Sequence, residues 1–153
     1  MNSLDLKLPP LILALLFAVV MWLAAKWLPA LALDLPWRHA LGGPISVVGI
    51  LFVMSAGYAF RKARTTVNPT KPETSSTAVA TGIYRLSRNP MYLGALLILI
   101  GWALFLSHAV PFLLLPAFVA YMNRFQIAPE ERALQAKFGA EYETYKFNVR
   151  RWL

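Results

Sequence analysis

Residues 91–125 read MYLGALLILIGWALFLSHAVPFLLLPAFVAYMNRF, and almost every position is apolar. A helix needs about 20 such residues to cross a bilayer. The run is too long for one crossing and rather short for two full ones. It is interrupted near Ser107, His108 and Pro111. The economical solution is a tight helical hairpin, about 91–106 and 110–127. His108 is expected to cap or line its turn at the far interface, without a catalytic partner.

Working outward, a first apolar run extends from about Leu8 to Leu28, with Lys26 placed to snorkel and Trp22 and Trp27 suited to an interface. A cleaved signal peptide is the rival reading, because Ala30-Leu31-Ala32 loosely imitates a cleavage site. The acidic Asp5 and the length of the run count against it. Residues 29–43, with Pro29, Pro36, Gly42 and Gly43, read as a connector. A second span follows at about Pro44 to Phe60 and stops at Arg61, Lys62 and Arg64.

The expected fold class is therefore all-α: a polytopic membrane protein of about four transmembrane helices with a C-terminal amphipathic helix. One membrane domain would cover residues 1–153. It comprises two N-terminal spans (1–60), a loop (61–90), the hairpin (91–127), and a helix and tail (129–153). In the tail, Leu134, Phe138, Tyr142 and Tyr145 recur at helical spacing, which predicts one amphipathic helix over Pro129–Tyr145.

Composition agrees. The 153 residues are 58% hydrophobic, with a mean hydropathy of +0.54. A soluble chain of this length could not bury that much apolar surface. The formal charge is +8, but the cations flank apolar runs and do not line one face. That pattern fits membrane topology and anionic headgroups, not nucleic acid. The 61–90 loop carries Arg61, Lys62, Arg64, Lys71, Arg85 and Arg88, against Arg38 alone in the 29–43 connector. Both termini and the basic loop are thus expected in the cytoplasm. Cysteine is absent and the two histidines, His39 and His108, are far apart, so no metal site is expected.

Two polar clusters flank the hairpin, which would bring them together. One is Thr81 to Gly94, the other begins at Gln126 and runs through Glu130 and Glu131. Each has a structural reading. Asn89-Pro90 makes a good helix start, and Pro129-Glu130-Glu131 repeats the device with carboxylates near a positive helix end. Together they suggest more, since acidic residues near membrane depth usually face a protein interior or a wet cavity. Arg88, Asn89, Gln126, Glu130 and Glu131 would meet at one mouth, beside Tyr84, Tyr92 and Tyr142. Such a pocket suits a ligand with carboxylate and cationic groups and an apolar portion.

GIYRLSRNPMYLG at 82–94, the hairpin, and EERALQAKFGAEYETYKFNVRRWL at 130–153 resemble the isoprenylcysteine carboxyl methyltransferase family and its phospholipid-methyltransferase relatives. The likeness covers roughly residues 65–153. It implies a membrane-embedded methyltransferase that uses S-adenosylmethionine and a lipophilic acceptor entering from the bilayer. Implied cofactor contacts are Ser76, Thr77, Ala78, Val79, Tyr84, Arg88, Asn89, Pro90, Met91, Tyr92, Glu130 and Glu131. Gln126, Glu130 and Asn89 are the implied catalytic positions.

Two departures stand out. Asn89 replaces a histidine frequent in the family, and an amide cannot titrate as a base. Gln126 stands where many members carry an arginine for the substrate carboxylate, and it cannot form a bidentate clamp. A prenylcysteine acceptor is therefore disfavoured, and the acceptor stays open. Competing readings are an NADPH-dependent enzyme of the sterol-reductase type and a membrane scaffold whose motifs only cap helices.

Overall fold

The computed structural model describes residues 5–63 and 80–153. Ser76, Thr77, Ala78 and Val79 lie outside the described residues. Six α-helices are described: α1 (Pro10–Trp27), α2 (Arg38–Lys62), α3 (Pro90–Leu106), α4 (Ala109–Tyr121), α5 (Ala128–Phe138) and α6 (Ala140–Asn148). Among the described residues no strand forms, and the protein is an all-α membrane protein. The helices α1, α2 and the continuous Ala109–Phe138 are long and apolar enough to cross a bilayer. The apolar α3 has 17 residues, at the lower limit for a span.

The hairpin turns on two residues. Ser107 closes α3 in the left-handed region, with φ 52. His108 then becomes extended, and its Nδ1 accepts the Val110 N–H at 3.2 Å, capping α4. With Nδ1 accepting, the proton sits on Nε2, which donates to the Leu28 carbonyl at 2.9 Å. The Leu33 N–H adds a bond to the Ser107 carbonyl at 2.7 Å. The α1–α2 connector is thereby tied to the hairpin turn.

The connector is shorter than the sequence suggests. Helix α2 begins at Arg38, so Gly42, Gly43 and Pro44 are helical. Membrane helices tolerate Gly and Pro internally, and here glycine has a packing purpose. Gly42, Gly49 and Ala56 recur every seventh residue on α2 and are buried. Gly49 meets Gly94 of α3, and Gly42 meets Gly101. A Cβ on Gly94 would lie 2.6 Å from the Gly49 carbonyl oxygen, and one on Gly101 2.5 Å from the Gly42 carbonyl oxygen. Without side chains the two backbones approach to van der Waals contact, the small-residue mode of helix association in lipid.

Helix α1 packs on the other side of the hairpin. Trp102 Nε1 donates to the Ala18 carbonyl at 3.1 Å, and Phe17 meets Phe118 edge to face at 5.4 Å. Met21, Leu99, Phe118, Met122 and Ile127 form the core with Tyr92. Leu11, Leu15, Val47, Leu51, Met54 and Leu113 are exposed. A chain with its aliphatic residues outside has lipid as its solvent.

Two expectations need correction. Pro129 does not start a helix: α4 runs into α5 through a π-helical turn at Met122–Ile127, and the residue before α5, Ile127, is itself helical. Nor is Pro129–Tyr145 one helix. Gly139, at φ +52, ends α5 and starts α6, a conformation that glycine adopts without steric cost.

Candidate functional site

The mouth of the hairpin is built by three segments. Residues 87–92 enter α3, residues 126–131 span the π turn and α5, and residues 150–152 return from α6. The last of these was missed at the sequence level, although RRW combines the charges and the aromatic ring that it uses.

The C-terminal segment crosses the start of α3 as a strap. The Arg88 N–H donates to the Arg150 carbonyl at 2.9 Å. The Arg151 carbonyl accepts from Asn89 Nδ2 at 2.9 Å and Ser87 Oγ at 3.3 Å. Trp152 Nε1 donates to Asn123 Oδ1 at 3.0 Å. Asn89 occupies the N-cap position of α3, but its side chain makes no cap bond. The amide holds the strap instead. Pro90, at the start of the helix, needs no donor there.

The two glutamates, adjacent in sequence, have different surroundings. Glu131 is ion-paired twice. Arg88 Nη1 lies 3.1 Å from its Oε1, and Arg151 reaches both carboxylate oxygens, Nε at 3.2 Å and Nη2 at 2.5 Å. Such a fork fixes the carboxylate in place. Glu130, half-buried, has no ion pair among the described residues. Its Oε2 accepts from the Tyr92 hydroxyl at 2.8 Å. Gln126 Nε2 in turn donates to the Tyr92 oxygen at 3.4 Å. Gln126, Tyr92 and Glu130 thus form one hydrogen-bonded row. Met91, partly buried, packs against the core beside it.

The tyrosines frame the site. Burial first, then the charge of Glu130, raises Tyr84 above the ordinary phenol range. Burial likewise raises Tyr142, with Glu131 adding and Arg88 opposing, and Tyr145, with Tyr142 adding and Arg88 opposing. All three stay neutral near pH 7. Tyr145 can therefore donate to the Tyr84 carbonyl at 2.7 Å, docking α6 on the segment before α3.

A family model described as phospholipid methyltransferase matches residues 37–141. The chain belongs to that family. An uncharacterized protein of Haemophilus influenzae (strain ATCC 51907 / DSM 11121 / KW20 / Rd) is 51% identical over 63 residues, 41% of this chain and 100% of that protein. No solved structure matches the chain. The methyltransferase match takes in Tyr84 to Tyr92 and Gln126 to Glu131. It leaves out α1 and the strap at 150–152.

Proposed function

We propose that this membrane methyltransferase takes its methyl group from S-adenosylmethionine and delivers it to a lipophilic, membrane-partitioned acceptor. The unequal treatment of Glu130 and Glu131 carries this reading. Two arginines neutralise Glu131, whereas Glu130 has a hydroxyl for its neighbour and, among the described residues, no cation. A carboxylate left without a counter-charge away from water is costly, and a cationic ligand removes the cost.

The residues present fit S-adenosylmethionine. Its sulfonium and ammonium are positive and its carboxylate negative. Glu130 suits the positive part. Arg88 has a buried Nε with no hydrogen-bond partner among the described residues, a donor for the negative part. When bound, the cofactor supplies an electrophilic sulfonium methyl. The protein has to orient and dehydrate. Gln126 would orient the acceptor through an uncharged amide, and Tyr92 holds Gln126 and Glu130 in fixed relation. Much of the rate can come from alignment alone. Buried Ile127 and Met122 keep this side dry, which favours dispersal of the sulfonium charge.

The acceptor on this reading is apolar with a reactive group small enough for a neutral site. Gln126 in place of an arginine clamp argues against a prenylcysteine carboxylate. The charge asymmetry of the loops supports a cytoplasmic position for the site and both termini. Calorimetric titration in mild detergent separates the leading cofactors. S-adenosylmethionine is expected to bind and NADPH is not; the reverse result would make the protein a reductase.

A further inference from the structure

Pro129 sits inside a continuous helix. There a proline lacks the N–H that would bond the carbonyl four residues back, and its ring crowds that carbonyl. The carbonyl concerned belongs to Phe125. The helix widens to π winding over Met122–Ile127, with the Ala128 N–H reaching back to the Asn123 carbonyl. The Phe125 oxygen then needs a donor from elsewhere, since an unbonded peptide group is costly where water is excluded.

The donor comes from before α1. The Leu6 N–H reaches the Phe125 oxygen at 3.0 Å. Leu6 does so at φ 58, a left-handed conformation that a leucine keeps only when its surroundings hold it. Asp5 supplies part of that hold. Its side chain is 1% exposed, and Oδ2 pairs with Arg132 Nη2 at 3.2 Å. Leu8 packs against the core cluster that contains Tyr92, Met122 and Ile127. Asp5 and Leu6 therefore grip the helix at Phe125 and Arg132, on either side of Gln126 and Glu130.

We infer that Asp5 and Leu6 are positioning residues for the site: they supply the bond that Pro129 withholds and fix the π turn that lays Gln126 and Glu130 against the Tyr92 hydroxyl. One residue of register in a helix is a rotation of about 100°. Loss of the π turn would carry Gln126 away from Tyr92. Residues 5–6 lie outside the family match, which begins at residue 37.

The test pairs amide hydrogen exchange over 122–130 with S-adenosylmethionine affinity, for the full chain in detergent. Only the affinity arm rests on the methyltransferase reading. In Asp5→Ala, exchange over 122–130 is expected to rise about tenfold while α3 stays protected. Affinity is expected to fall about tenfold, since small misplacements of a site are costly. Asp5→Glu should recover both in part. Leu113→Ala, on the exposed face of α4, should leave both unchanged. Unchanged exchange over 122–130 in Asp5→Ala overturns the inference, as does an equal rise throughout α3. Exchange is read without cofactor, so failure of the wild type to bind S-adenosylmethionine would remove the cofactor reading and not this one.

Discussion

Glu130→Ala is expected to abolish measurable S-adenosylmethionine binding while the protein stays folded. The carboxylate is proposed to meet the cofactor's positive charge in a site that excludes water. Removing one partner of such a pair costs about 3 kcal/mol or more, roughly a hundredfold in affinity. The same change at Glu131 should act differently. Glu131→Ala strands Arg88, whose side chain is 11% exposed, and frees Arg151 of the strap from its anchor on α5. It should lower the melting temperature first. Calorimetry and thermal unfolding on both variants distinguish the two roles. Undiminished affinity in Glu130→Ala would remove Glu130 from the cofactor site.

The second large effect is expected at the α2–α3 contact. Gly94→Leu should prevent the two helices from docking. Even one added carbon at Gly94 would meet the Gly49 carbonyl oxygen at 2.6 Å and the Val53 nitrogen at 3.0 Å. Backbone cannot move aside as a side chain can. Overpacking of this kind costs about 1–3 kcal/mol for a few carbons, and a leucine should exceed that range. Gly43 and Gly57 are the controls, because nothing lies within 4 Å of a Cβ at either. Gly57→Ala should gain about 1 kcal/mol of helix propensity. Thermal unfolding followed by circular dichroism in detergent reads both. A neutral Gly94→Leu would mean that the close approach is not needed. Tyr92 lies two residues before Gly94, so the same variant should lose cofactor binding.

The helices and the hairpin are legible in the sequence because lipid enforces a simple rule. Apolar runs long enough to cross must be helical, and a break such as Ser107-His108 marks the turn. The meeting of the two polar clusters is legible for the same reason, since a hairpin returns its ends to one face. Local patterns mislead where long-range contacts decide. Gly42, Gly43 and Pro44 look like a connector, yet all three lie in α2, where Gly42 packs against the Gly101 backbone. Asn89 looks like a cap, but the Arg151 carbonyl takes its amide. Pro129 looks like a helix start, yet it sits inside one, and the Phe125 carbonyl it leaves without its usual donor accepts from Leu6, far away in the chain. The division between Glu130 and Glu131 could not be read from neighbouring letters. It depends on which of them faces Arg88 and Arg151 in space.

Photo-crosslinking with methyl-labelled S-adenosylmethionine, followed by peptide mapping, tests the cofactor site most directly. Irradiation of the wild-type protein in nanodiscs should place label on peptides holding residues 84–92 or 126–131. Excess unlabelled cofactor should suppress that label, and Glu130→Ala should lose it. Label confined to other peptides, or equal labelling of wild type and Glu130→Ala, would contradict a cofactor held between Arg88, Tyr92 and Glu130.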